Sequence, residues 1–578
     1  MKEENMPLGN SKEVEIVRRK FLINAGLMAA FPAALTVLPA ACTDGTEKTA
    51  KTTSVSPGKA ELELLSPMGV IDPPPMLGLS PRLKTLKGKR LAMIHNNKAG
   101  AKELLIAVEE QLKEKYPSAT FVRFDTTIGL ADKPEKYAEI AESCDAFILG
   151  AGDLGTCTWW GVYHSIQIEK NGKPGVFLAT ENLMKNAESS SSDWGMPGFR
   201  TIALPPREWY THRGTAEEML PTAAKLLNAI IDGLTRPLTE KEANPKQRKK
   251  EIYPPITVSA DSYEAAVEKF NEVFLENHMG DGLPLLPPTA ERVKWMLSGT
   301  SRGPDEVLGK CPLRFGNVTI EKVAINAVMA GAKPEYLPAI IAAMDCFVGE
   351  SGPGQKGEFF FHVLTSGGSF NLMILFNGPL AKELNMNSGP GFLGHGWRAN
   401  NTIGRAVRLS TITIGHCWPA ENDMALTGRI NPHTWITFAE NETESPWEPC
   451  HVGKGFAKDD SVVTVCEISS SFSTFIAGVT ASWTAMSILD QMASKMSKRG
   501  GYMAVFALEV AEELKRLGFD RKDIQEWFHQ KTGVAAENVN VLVAGSVPGY
   551  CLLFRITAMN AHVSKKITGA TLTKAGRA

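Results

Sequence analysis

The sequence predicts an α/β protein: an N-terminal doubly wound, flavodoxin-like parallel sheet joined to a larger α+β or α/β C-terminal unit. Three observations predict it. Residues 88–206 alternate short apolar runs with stretches of helical periodicity, as a parallel sheet covered on both faces requires. The stretch 145–181, DAFILGAGDLGTCTWWGVYHSIQIEKNGKPGVFLATE, reads strand, glycine turn, helix, strand, which is a βαβ unit. And 578 residues exceed one ordinary core, so two or three domains are expected.

The first 42 residues read as an export signal. Val17-Arg18-Arg19-Lys20-Phe21-Leu22 precedes an apolar stretch running to Ala41, with small residues before Cys42. A charged start, an apolar middle and small residues at the end make such a signal. The arginine pair with Phe21 and Leu22 resembles a twin-arginine signal, which implies the twin-arginine export machinery as a partner and the periplasm or cell envelope as destination. Leu38-Pro39-Ala40-Ala41-Cys42 resembles a lipoprotein box, with Pro39 where leucine is expected. Cys42 is thus the candidate for lipidation and a membrane tether. A single membrane anchor is the competing reading, weakened by Gly26, Pro32 and Pro39. Residues 43–63, rich in Thr, Lys and Ser, suit a tether.

An α/β domain is expected over 64–234. Its strands are expected at 91–94, 121–124, 146–149, 176–179 and 201–204, and its helices at 101–115, 134–142, 158–170, 181–187 and 216–232. Right-handed crossovers make a doubly wound open sheet the simplest topology. If the strand order is 2-1-3-4-5, a crevice lies between strands one and three. The loop His95-Asn96-Asn97-Lys98 and the loop from Asp153 to Cys157 then open onto it together, and Asn97, Lys98 and Cys157 face each other.

Residues 235–258, rich in charge and proline, read as a linker, with Lys246–Lys250 a solvated basic face. The C-terminal unit is expected over 259–578. Helices are expected at 263–276, 290–297, 320–329, 337–347 and 402–409, and a strand at 370–377. Strand, helix, helix and strand are expected to close the chain near 461–467, 476–495, 503–532 and 539–544. The segment from Ser388 to Arg405 is dense in glycine and hydrogen-bonding groups, which suits presentation of polar groups to a ligand.

Composition excludes several classes. A chain 43% hydrophobic and 22% charged is ordinary globular material. A net charge of −1 offers no basic field for nucleic acid. Nine cysteines are too sparse for a disulfide scaffold. The glycine-containing turn 543–549 lacks a P-loop lysine, and no GxGxxG follows the first strand. No cofactor is assigned.

Leu154-Gly155-Thr156-Cys157, inside Gly152–Thr158, with Glu169-Lys170 and Gly172-Lys173-Pro174 beyond the helix and Asn96–Gly100 before it, resembles the UGSC family. That family is named for a selenocysteine-Gly-Ser-Cys motif. Asp281-Gly282-Leu283-Pro284, Glu321-Lys322-Val323-Ala324, Gly396-Trp397-Arg398-Ala399-Asn400 and Ser445-Pro446-Trp447-Glu448-Pro449 are similar to the longer region fused to such domains. The resemblance implies thiol or selenol redox work. Leu154 stands in the place of selenocysteine, so only the terminal thiol, Cys157, carries over.

Cys157 is the candidate catalytic residue. A thiol at the start of a helix meets unpaired N–H groups and the helix dipole, which favour the thiolate. The competing reading is a small packed residue at a tight turn. His164 lies seven residues on, roughly 10 Å along a helix axis, too far for a direct pair. Asp153 binds a substrate group or caps the helix, capping being the stronger reading. Trp159 and Trp160 cannot share a face, so one is expected in the core and the other at the crevice. Cys144 reads as structural. His416-Cys417 and Cys450-His451 match no compact zinc spacing. Arg398, Asn400, Asn401 and Arg405 suit a carboxylate or phosphate, because arginine grips such anions through a fork of donors. Ion pairs with Glu440, Glu442 or Glu448 are the alternative use.

The leading expectation is an exported enzyme using Cys157 as nucleophile or redox thiol on a small anionic substrate. That substrate would lie between the two units, with Asn97, Lys98, Asp153, Arg398, Asn400, Asn401 and Arg405 as its binding set. A metal-assisted lyase or hydrolase centred on the C-terminal unit, and a non-catalytic exported binding protein, are the alternatives. Replacing both Arg18 and Arg19 by Lys should hold the precursor in the cytoplasm. Cell fractionation that finds the double variant delivered normally would contradict the twin-arginine reading.

Overall fold

Each strand of the central sheet alternates its side chains between two buried faces, and that alternation organises the N-terminal half. The computed structural model describes residues 59–125, 134–211, 214–348, 364–419, 421–425, 427–429, 431–476, 484–498, 500–547, 549–556 and 562–571, without the side chains of 470–476. The expected export signal, Cys42 and most of the expected tether lie outside the described residues. The tether's last residues enter a strand, β1 (Ala60–Leu64).

Five strands follow: β2 (Arg90–His95), β3 (Thr120–Asp125), β4 (Ala146–Gly152), β5 (Gly175–Thr180) and β6 (Thr201–Leu204). They form one sheet in the order β3-β2-β4-β5-β6, all parallel. This is the doubly wound 2-1-3-4-5 order, with its switch point between β2 and β4. Leu91, Met93, Ile148, Val176 and Leu178 face a core shared with the helices Ala101–Lys115 and Ala216–Thr235. Ala92, Ile94, Phe147, Leu149, Phe177 and Ala179 face the opposite core, shared with the helices Pro134–Glu142, Gly155–Glu169 and Met184–Asp193. β4 and β5 are buried along their whole length, as expected of central strands covered on both sides. β4 runs on to Gly152, beyond the apolar run that suggested it.

The helix Gly155–Glu169 has no exposed residue. One side packs on the sheet so closely that a Cβ at Gly161 would sit 2.3 Å from the Phe177 ring. The other side joins the core of the C-terminal half, and both tryptophans enter it: Trp159 and Trp160 are 3% and 4% exposed. The expectation that one would line the crevice is corrected. Trp159 packs edge-on against Trp194 at 4.7 Å and lies 6.3 Å from Phe315. At the helix end, Glu169 is buried against Arg82 at 2.9 Å and also accepts from the backbone N–H groups of Ser80 and Gly175. These bonds satisfy a charge that burial would otherwise penalise.

The stretch expected as a linker is fastened down. β7 (Ile256–Ala260) pairs antiparallel with β1. Gln247 exchanges two 2.8 Å hydrogen bonds with the backbone of Met76. Arg200 holds Glu242 at 2.9 Å. The basic run is not simply a solvated face: Arg248 bonds Asp193 and Glu251, and Lys250 lies 2.9 Å from Asp72.

The C-terminal half contains a hairpin, β8 (Val307–Cys311) and β9 (Gly316–Thr319). The helices Ile320–Met329, Leu337–Val348 and Arg398–Thr413 pack into its core. Its mixed seven-stranded sheet comprises β10 (Phe370–Asn377), β11 (Ile436–Ala439), β12 (Val462–Ile476), β13 (Gly501–Phe506), β14 (Val539–Val543), β15 (Cys551–Ile556) and β16 (His562–Lys566). The path is β11-β10-β12-β15-β13-β14, with β16 on β12. Two expectations fail here. Residues 503–506 belong to β13, a fully buried interior strand, before the helices Leu508–Arg516 and Arg521–Thr532. A short apolar run without breakers suits either element, and only its neighbours β14 and β15 decide. The helix expected from 476 begins at Ala485, where Thr484 caps it.

His164 is enclosed in this packing, with Nδ1 2.8 Å from the Tyr137 hydroxyl. Burial pushes its pKa from 6.5 down to about 3. The unfolded chain therefore takes up a proton between these values that the folded protein refuses. The stability this group contributes is complete above pH 6.5 and is lost progressively as pH falls toward about 3. Denaturant titrations should show that loss on acidification, and His164→Gln should reduce its slope. An unchanged slope in the variant would assign the acid sensitivity to other groups.

Candidate active site

Two loops leave the carboxyl edge of the sheet at its switch point. After β2 the chain turns through Asn97 and Gly100, whose φ values of 53° and 85° are left-handed. Glycine adopts that conformation freely, and asparagine tolerates it better than most residues. The Asn96 amide donates to the Ala151 carbonyl at 2.8 Å and accepts from the Ala151 N–H at 3.0 Å. One side chain thereby ties the first loop to the end of β4.

This tie brings Lys98 to the second loop. Its Nζ lies 3.3 Å from Asp153 Oδ1, and its charge acts on the sulfur of Cys157. The Asp153 carbonyl accepts from the Tyr210 hydroxyl at 2.5 Å. Asp153 does not cap the helix as expected. The cap position is Leu154, which offers no side-chain acceptor, and the carboxylate is turned to Lys98 instead. Asn97 is exposed at the tip of the first loop.

The electrostatics differ from those of a thiol at an open helix start. Burial pushes the Cys157 thiol up, the Lys98 ammonium pulls it down, and Asp153 pushes it up again, with a net rise. Burial alone would lower Lys98, but the sulfur and the Asp153 carboxylate outweigh it and hold the ammonium charged. The expectation of a thiolate favoured at rest is thereby corrected: desolvation outweighs a single cation shared with a carboxylate. At neutral pH the sulfur therefore rests as a thiol beside a charged Lys98.

The C-terminal half reaches this site through residues the sequence did not single out. Thr156 Oγ1 lies 2.9 Å from Thr365 Oγ1, both buried. A Cβ at Gly155 would sit 2.0 Å from the Thr365 carbonyl and 2.6 Å from Met424 Cβ. Gly155 is the local hint of that close approach. The partners themselves come from more than two hundred positions away.

Arg398, Asn400, Asn401 and Arg405 have other partners. Arg398 donates through Nε and Nη2 to the Gly331 carbonyl. Asn400 braces the backbone of Asn387. Asn401 bonds the Trp397 carbonyl, and Arg405 forks onto Asp281 at 2.9 Å. Their hydrogen bonds and ion pairs go to these groups rather than to Lys98, Asp153 or Cys157. Arg398 instead borders a surface depression of about 340 Å³ with Lys333, Tyr336, Leu384, Asn385 and Trp397. The helix it starts meets Asp423, the neighbour of Met424, only at Arg408, about 15 Å farther along its axis.

The other thiols and imidazoles singled out in the sequence are held by contacts within the fold. Cys144 Sγ donates to the Ile140 carbonyl at 3.3 Å, and burial raises its pKa. His416 contacts the Gly69 carbonyl at 2.8 Å. Cys417 contacts Asp423, Cys450 contacts Asn377, and His451 contacts the Ala457 carbonyl. Among the described residues, no three His, Cys, Asp or Glu side chains are grouped to hold a metal ion.

No curated protein matches the chain. Residues 63–236 match the model of the UGSC family. The five-stranded sheet, both carboxyl-edge loops, Lys98, Asp153, Cys157 and Tyr210 all fall within that span, so this part of the chain is a UGSC-family region, here joined to a longer C-terminal region.

Proposed function

We propose that the protein is an exported thiol-dependent enzyme in which Cys157 serves as nucleophile or redox thiol. The observation that carries this reading is the Lys98–Asp153 ion pair at the sheet's switch point, whose two charges act on the Cys157 sulfur in opposite directions. Open α/β sheets bind their ligands at such points. Either role begins with the same step. The Sγ proton passes to water, which reaches the half-buried sulfur, and the thiolate that forms is stabilised by the Lys98 ammonium. A small anionic substrate approaching Lys98 would compete with Asp153 for the ammonium, so Asn97, Lys98 and Asp153 form its binding set. The resemblance of Arg18-Arg19 to a twin-arginine signal supports the periplasm or cell envelope as its compartment, with Cys42 as the candidate tether.

The second reading concerns the arginine cluster. Arg398 has no carboxylate partner among the described residues, and no carboxylate lines its depression. This favours anion binding at a place of its own. Inorganic phosphate or benzoate should then bind the wild type weakly and Arg398→Ala not at all by NMR titration. Equal binding to both proteins would remove this reading.

Cys157 is half-buried, whereas most of the other described cysteines are fully buried. It should therefore be among the first to react with iodoacetamide, slowly at neutral pH and faster above about pH 9, the ordinary thiol value that burial exceeds. Lys98→Met should move the rate profile to higher pH and Asp153→Asn to lower pH. Cys157→Ser should keep the fold and abolish turnover. Peptide mapping that leaves Cys157 unlabelled across this range would remove the thiol mechanism. Metal analysis of purified protein that finds a stoichiometric ion would favour a metal-assisted hydrolase or lyase.

A further inference from the structure

We infer that the C-terminal region acts on the thiol through Thr365, a positioning residue whose hydroxyl sets the start of the Cys157 helix. The inference rests on the thiol reading above and adds the partner that the UGSC-family region lacks within itself. Thr365 and Thr156 share a 2.9 Å hydroxyl bond from which water is excluded, since the two residues are 1% and 7% exposed. Cys157 is the next residue. Its sulfur must stay close to Lys98, because the stabilisation of a thiolate by a neighbouring cation falls off as the two move apart.

The support beneath Thr365 is a single buried carboxylate. Asp423 Oδ1 takes Arg429 Nη2 at 2.7 Å and the Ala425 N–H at 3.2 Å, while Oδ2 lies 3.5 Å from Arg408. Arg429 in turn donates to the Leu364 carbonyl at 3.2 Å and the Phe370 carbonyl at 2.7 Å. Asp423 therefore organises both pieces that touch the helix start: Leu364-Thr365 through Arg429, and Met424 as its own neighbour. The side chains of Arg429 and Asp423 are 2% and 7% exposed. So little exposure leaves their pairing largely unscreened by salt. Both pieces press directly on Gly155, where a methyl group would meet the Thr365 carbonyl at 2.0 Å and Met424 Cβ at 2.6 Å.

Loss of the Thr365 hydroxyl should leave the side-chain volume filled but free the helix start to move. The test uses the full chain and the iodoacetamide rate of Cys157 against pH. Thr365→Val should slow labelling at pH 8 by roughly three- to tenfold, the worth of one buried hydrogen bond, and shift the profile to higher pH. Thr365→Ser, which keeps the hydroxyl, should restore the wild-type profile. Thr156→Val removes the same bond from the other side and should reproduce the shift. It also serves as the second probe if Thr365→Val folds poorly. The double variant should shift no further than either single one, as expected for two ends of one interaction. In a Lys98→Met background Thr365→Val should shift nothing, because it acts through Lys98. A reactive Cys157 whose profile ignores both valine variants, or a shift of equal size without Lys98, overturns the positioning role and leaves the thiol reading intact. A Cys157 unreactive at every pH in the wild type overturns both.

Discussion

The helix Gly155–Glu169 has no face for water, and much of the molecule is arranged to meet that constraint. It carries no Asp, Lys or Arg, and its one Glu is its last residue. A helix that is apolar all round must be covered all round. The sheet covers one side, through Phe177 against Gly161, and the C-terminal core covers the other, around Trp159 and Trp160. The UGSC-family region therefore cannot bury its own central helix. Removing the C-terminal half would expose two tryptophans, at a cost of several kcal/mol by apolar area alone.

The same burial decides the character of the site. The first turn of this helix lies under the C-terminal segment around Thr365 and Met424, so Cys157 loses solvent and its thiolate loses hydration. Lys98 returns part of that stabilisation, and Asp153 takes some of it away. The balance resembles a poised group more than an activated one. The charge that selects the thiolate is shared, and whatever occupies Asp153 changes how much of it the sulfur receives. A substrate anion, a proton on the carboxylate or a movement of the Asp153 loop, whose backbone is held by Tyr210, would each act on the sulfur through the same ammonium.

Much of the N-terminal half was legible in the sequence. The helices at 101–115 and 134–142 and the strand at 201–204 match the structure to the residue, and the others differ mainly at their ends. Strong alternation between apolar runs and amphipathic helices is local information, and connection rules reduce the possible strand orders to few. The pairing of the first and third loops follows from that order, which is why the sequence alone sets Lys98 beside the loop from Asp153 to Cys157. The C-terminal half was less legible. β13 resembled a helix and β15 gave no sign, because an interior strand of a mixed sheet has no polar face to mark its period; β11 and β16, at the sheet's margins, were too short to stand out.

By itself, then, the sequence determined the doubly wound sheet, the switch-point crevice, the thiol at its edge and the separate C-terminal helices, all of which follow from periodicity and glycine placement within short windows. Tertiary structure alone decided the rest. It turned Asp153 from a helix cap into a partner of Lys98, raised the thiol by burial, sent both tryptophans inward and gave Arg405 to Asp281. It also brought Thr365 beneath Thr156. Each of these depends on which distant segment displaces water from a side chain, and the desolvation of a charge or hydroxyl is set by neighbours in space that no local pattern encodes.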